Sequence, residues 1–143
     1  MKYYSRKNSA GFTLIELMVT LAILGILMSL GVNYYDEQKR KGYRTDAFRS
    51  LALLAQRQEN WRSKTGAYTP TITDLGTGAD ISANGKYNII LSSIGTGDTY
   101  TITAEATGTQ LADKKCRKFI LEHTGRKTAE EHDTTPNNNC WPR

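Results

Sequence analysis

The sequence predicts an α+β fold in which one long N-terminal helix lies against a small antiparallel sheet. Three observations carry that prediction. The stretch from Gly11 to Val32 is apolar and long enough to cross a bilayer as a helix, which takes roughly 20 residues. From Ala47 to Trp61 the apolar residues recur at three- and four-residue spacing, as in a helix with one buried face. Beyond Tyr87 the pattern changes to period two, the mark of strands that bury one side.

The chain has 143 residues, one domain's worth at most. Ahead of the apolar stretch stand Lys2, Arg6 and Lys7. Basic residues at that flank hold the N-terminus in the cytoplasm, so the rest of the chain is expected to face the periplasm or the exterior. The formal net charge of +5 falls to +2 when those three charges are set aside. A secretory signal has its small cleavage residue after the apolar core. Here the glycine comes first, so a cut there leaves the apolar helix on the mature chain. One carboxylate, Glu16, interrupts the stretch, at an insertion cost of about 2.5–3.5 kcal/mol. A charge kept at that cost points to a function.

The string Gly11-Phe12-Thr13-Leu14-Ile15-Glu16 resembles the class III signal of type IV pilins and their pseudopilin relatives. The resemblance implies that residues 1–11 are a leader removed by a prepilin peptidase after Gly11, and that the new amine of Phe12 is methylated. It implies a transmembrane and polymerisation helix over 12–32 and a periplasmic or extracellular pilin domain over 33–143. Glu16 would then pair with the Phe12 amine of a neighbouring subunit and favour one axial register, because an unpaired charge in a low-dielectric bundle is heavily penalised. The alternative is a carboxylate that merely sits near the interface.

Past Val32 the helix is expected to continue. Asn33 to Lys64 holds no proline and one glycine, Gly42. Tyr35, Tyr43, Ala47, Phe48, Leu51, Leu54, Ala55 and Trp61 supply the apolar stripe, with Arg49, Gln56, Arg57, Asn60 and Arg62 on other faces. The helix therefore runs from Phe12 to about Lys64, with Gly66 as its stop. Pilins of this class usually carry a proline where this chain has Asn33, while Gly25 and Gly31 remain as helix-loosening positions. An intact helix there is one expectation, a melted one in the filament the other.

Ala67–Gly85, rich in Thr, Gly, Asp and Ser, reads as a surface loop too polar for the core. Tyr87, Ile89 and Leu91 alternate with polar or outward residues, as do Tyr100, Ile102, Ala104 and Ala106. With the turn-like Gly95-Thr96-Gly97-Asp98 between them, they read as a hairpin with one apolar face. Lys118–Glu122 is a third short strand with Phe119 and Leu121 on one side, Gly125 marks a turn, and Lys127–Arg143 is a polar tail.

The only cysteines are Cys116 and Cys140. In an oxidising compartment such a pair reads as a disulfide, with two free thiols as the alternative. The architecture that joins these parts is also the pilin fold, with its C-terminal disulfide-bounded segment. The ending from Cys116 to Trp141 is similar to minor pilins of the PilE type and, in outline, to DNA-receptor pilins of the ComP type.

Lys114, Lys115, Arg117 and Lys118 crowd around Cys116, with Arg126 and Lys127 further on. Held by the bridge, they form a candidate cationic patch for DNA phosphates; a solvated edge strand guarded by lysines is the competing reading. Trp141 is expected to cover the disulfide, and His123 and His132 to lie on the surface. No catalytic triad, P-loop, dinucleotide glycine pattern or zinc motif is present, so no enzyme, cofactor or metal is expected. The resemblance implies partners in other pilin subunits, through the N-terminal helix, in the prepilin peptidase and in the inner-membrane assembly machinery. It places the chain in the inner membrane and then in the surface fibre. Roles in adhesion and twitching, a DNA-receptor role and a secretion-system pseudopilin are the functions it leaves open.

Overall fold

A computed structural model of the chain describes residues 11–76, 80–94 and 97–142. The basic part of the expected leader, and Gly95 and Thr96 of the expected turn, lie outside the described residues. Helix α1 spans Leu14–Thr65. Strands β1 (Tyr87–Ile94), β2 (Thr99–Ala106), β3 (Lys118–Glu122) and β4 (Lys127–Glu130) form one antiparallel sheet in sequence order. Short 3-10 turns occupy Ile72–Leu75, Gly108–Ala112 and Asn138–Cys140. The chain divides into two units at Asp36.

In the N-terminal unit the helix starts on a side-chain cap. Thr13 Oγ1 accepts the Glu16 backbone N–H at 3.3 Å, and Leu17 N–H donates to the Thr13 carbonyl. Threonine with a glutamate three residues on is the spacing of a capping box, and a carboxylate in the first turn also suits the helix dipole. Helix continues through Gly25 and Asn33, as the missing proline allows. Phe12, Leu14, Ile15 and Leu17 are exposed, as is Met18, so this face has no partner within the described residues. It is one helix long and apolar enough to cross a membrane.

In the second unit α1 ends where expected. Gly66 takes φ +87° and its N–H closes onto the Arg62 carbonyl at 2.8 Å. Ala47, Leu51 and Leu54 sink into a core with Tyr87, Ile89, Ile102, Phe119 and Leu121. The register places these strand residues on one side: Ile102 pairs Leu91 and Leu121, and Phe119 pairs Ala104 and Ala129. The expected hairpin and third strand are therefore present with the expected inward faces.

Two expectations change. Ala67–Gly85 is not purely surface: Tyr68, Thr69, Leu75 and Ser82 are buried. The start of the segment is held by Gln58, fully buried on α1, whose amide donates to the Thr69 carbonyl at 2.7 Å and accepts the Thr69 N–H at 3.1 Å. This two-way clamp satisfies the buried backbone and lets Tyr68 stack edge-on against Tyr100 at 4.7 Å. The polar tail, too, contributes a strand. β4 pairs with β3 and buries Ala129, and the Glu130–Pro136 bridge extends its pairing.

Candidate nucleic-acid interface

The cationic segment begins at a buried ion pair. Arg44 of α1 makes a two-pronged contact with Asp113, Nε to Oδ2 at 2.7 Å and Nη2 to Oδ1 at 2.9 Å. Asp113 also accepts the Cys116 N–H and the Gln110 amide. Lys114 and Lys115 lie between these anchors. The Lys114 carbonyl accepts the His132 N–H at 3.0 Å, and the Lys115 carbonyl accepts the Asn137 amide at 3.3 Å. Cys116 is bonded to Cys140 with Cα atoms 5.7 Å apart, which settles the cysteines as a disulfide. The backbone under both lysines is fixed while their side chains are exposed. Such preorganisation lowers the ordering cost of binding.

The other expected cations meet different fates. Arg117 turns back to donate to the Leu111 carbonyl, and its Nε is buried with no partner among the described residues. Lys118 pairs with Glu130 at 3.2 Å. Alternation puts Lys118 on the sheet face opposite Phe119, whereas Lys127, opposite Leu121, belongs to the face that meets α1. Lys127 Nζ lies 5.5 Å from the Trp141 ring centroid, and Arg126 reaches only 4.0 Å from Glu122. Of the six residues, the structure therefore ties Arg117 and Lys118 to the protein and leaves a pinned Lys114–Lys115 pair and an Arg126–Lys127 pair at the other end of the β3–β4 hairpin. Strand β3, which runs between the two ends of that hairpin, is itself about 13 Å long at a strand rise of about 3.3 Å per residue. That is roughly four base pairs along B-DNA.

Trp141 packs on the core itself. It stacks on Phe48 at 4.9 Å, meets Phe119 edge-on at 5.6 Å, and donates its indole N–H to the Thr128 carbonyl. His132 is exposed, while His123 is half-buried beside Tyr100. No group of three metal-type side chains occurs among the described residues.

A further basic stretch, Lys39-Arg40-Lys41, was not legible as part of a site. Its neighbourhood shows in Glu37, whose carboxyl is held below the usual range by its bond to Lys41 and by the charges of Lys41, Lys115 and Arg40. The Gln110 amide donates to the Arg40 carbonyl at 3.1 Å. The signal in the sequence was the run of three cations; only the fold shows Lys115 close to it.

Residues 6–32 match the model of the prokaryotic N-terminal methylation motif. Residues 34–120 match the family model described as "Type IV minor pilin ComP, DNA uptake sequence receptor". Fimbrial protein EcpC of Eikenella corrodens is 31% identical over 100 residues, covering 68% of this chain; the chain spans 64% of that protein's length. A solved type IV pilin from Shewanella oneidensis shares the fold, with a TM-score of 0.53 over 73% of this chain and 99% of that one, at 24% identity. With more than half of its residues matched by the ComP-type model, the chain belongs to the type IV minor pilin family.

Proposed function

We propose that this minor pilin is built into a type IV filament and there binds double-stranded DNA, with Lys114 and Lys115 meeting backbone phosphates. One coincidence carries the reading: the span matched by the DNA-receptor family model contains these two lysines, which form no salt bridge among the described residues and stand on fixed backbone. Arg126 and Lys127 extend the interface to a second stretch of the same duplex; Arg117 and Lys118 are tied to the protein and contribute less.

Filament membership uses the N-terminus. A prepilin peptidase cuts after Gly11, the Phe12 amine is methylated, and Glu16 pairs with the Phe12 amine of an adjacent subunit. The chain waits in the inner membrane through residues 12–32 and passes to the fibre by way of the assembly machinery, with 33–143 outside. The likeness to a fimbrial protein favours a filament subunit over a secretion pseudopilin.

The test is a titration of duplex DNA at several salt concentrations. Affinity is expected to fall steeply with salt. Lys114→Ala with Lys115→Ala is expected to lower the slope of log K against log salt by about 0.9 for each phosphate that is no longer neutralised. Absence of binding at low salt removes the DNA reading and leaves the filament reading standing.

A further inference from the structure

We infer that Lys39, Arg40 and Lys41, at the end of the globular unit where the chain arrives from the membrane, form a docking surface for anionic phospholipid headgroups, used while the subunit is anchored. The inference rests on the reading of residues 12–32 as a membrane span. Lys39 follows Val32 by seven residues, which even fully extended reach no more than about 25 Å. The tether therefore confines these cations to the neighbourhood of the bilayer surface, where a soluble ligand has to compete with headgroups already present.

The sequence leading to them has interfacial character. Tyr34 and Tyr35 are 68% and 66% exposed, and aromatic rings of this kind settle at headgroup level next to a spanning helix. Lysine and arginine stems then let the charged ends reach phosphates. Lys39 and Lys41 are exposed and available for this, and Arg40 is partly so. Lys41 is paired with Glu37 at 3.1 Å, but both side chains are nearly half exposed, and an exposed pair spaced four apart on a helix is weak. Arg40 lends the fold its carbonyl, accepting from Gln110, while its side chain is half-buried. Arg44, by contrast, is committed to Asp113. Asp36 and Glu37 offset part of the charge, and Lys115, whose charge helps to hold the Glu37 carboxyl low, restores part of it.

Native mass spectrometry of the full chain, released from detergent micelles doped with phosphatidylglycerol or phosphatidylcholine, tests this. A Lys or Arg close to an anionic surface is worth about fivefold in partitioning. Retention of phosphatidylglycerol is expected to exceed that of phosphatidylcholine by at least about tenfold, and K39Q/R40Q/K41Q to remove most of that preference. The charge-preserving K39R/K41R is expected to keep it, which separates charge from folding. Equal retention of the two lipids overturns the inference. So does a triple variant that keeps its lipid preference but loses duplex DNA binding, which makes the stretch a nucleic-acid surface. A chain that alkaline carbonate strips from membranes contradicts the span itself; an anchored chain without lipid preference contradicts only the docking surface.

Discussion

Arg44 and Asp113, 69 residues apart, meet through two parallel hydrogen bonds of 2.7 and 2.9 Å, with side chains only 14% and 4% exposed. This pair joins the part of α1 that lies in the second unit to the start of the disulfide-bounded segment, and so helps to position the backbone of Lys114 and Lys115. Asp113→Ala leaves the Arg44 charge buried without its partner, and the loss is expected to be about 3–5 kcal/mol in chemical unfolding. Arg44→Lys keeps the charge but not the fork, and is expected to fall between that variant and the wild type.

The disulfide closes a loop with a sequence separation of 24. In the chain-entropy account that constraint contributes about 3 kcal/mol. Cys116→Ser with Cys140→Ser is expected to lower the melting temperature and to weaken DNA binding more than the lost stability accounts for, since the backbone under the lysines loses one anchor. Comparing the affinity of reduced and oxidised protein well below the melting temperature checks this.

Among the described glycines, Gly97 is the one whose replacement is expected to cost most. It sits at φ +89°, and a Cβ would come within 2.9 Å of Ala67 Cβ and 3.0 Å of the Tyr68 carbonyl oxygen. Its own carbonyl accepts the Tyr68 N–H at 2.8 Å, so the chain cannot move aside without losing that bond. Gly97→Ala is expected to destabilise by about 2 kcal/mol or more. Gly125→Ala, at φ +79° with nothing within 4 Å, is expected to cost about 1 kcal/mol. Paired urea titrations give the comparison.

Stability should fall in alkali. Burial pushes the Tyr100 phenol up to about 12, helped by the charge of Glu59, and burial raises Tyr87 as well. The unfolded phenols ionise near pH 10, so above that value the unfolded state binds fewer protons than the native one. The stabilisation is therefore complete below about pH 10 and is lost as the pH rises toward 12. Melting temperatures measured across this window are expected to drop, and Tyr100→Phe is expected to flatten the drop.

The sequence made most of the fold legible, for a physical reason. Long helices and inward-facing strands carry their burial as periodicity, so α1, β1, β2 and β3 could be read from residues such as Leu51, Ile102 and Phe119. Strand β4 could not: Lys127, Thr128, Ala129 and Glu130 bury a single alanine, too little to leave a pattern. Gln58 and Gln110 are fully buried polar residues whose value lies in partners distant in sequence, and Tyr68 is in the core because Gln58 holds Thr69. At the candidate site, proximity in sequence misled. Lys118 stands beside Cys116 and Lys127 further on, and both were grouped in one candidate patch, yet the β3–β4 register sends them to opposite faces, while the charge of Lys115 is felt by Glu37 on the helix.

The central claim, that this chain is a processed minor subunit of a filament, is tested most directly by quantitative mass spectrometry of sheared surface fibres that includes the N-terminal peptide. The account predicts a peptide beginning at methylated Phe12, present at a small fraction of the main pilin. A chain found only in the inner-membrane fraction, with its leader still attached at Gly11, would contradict it.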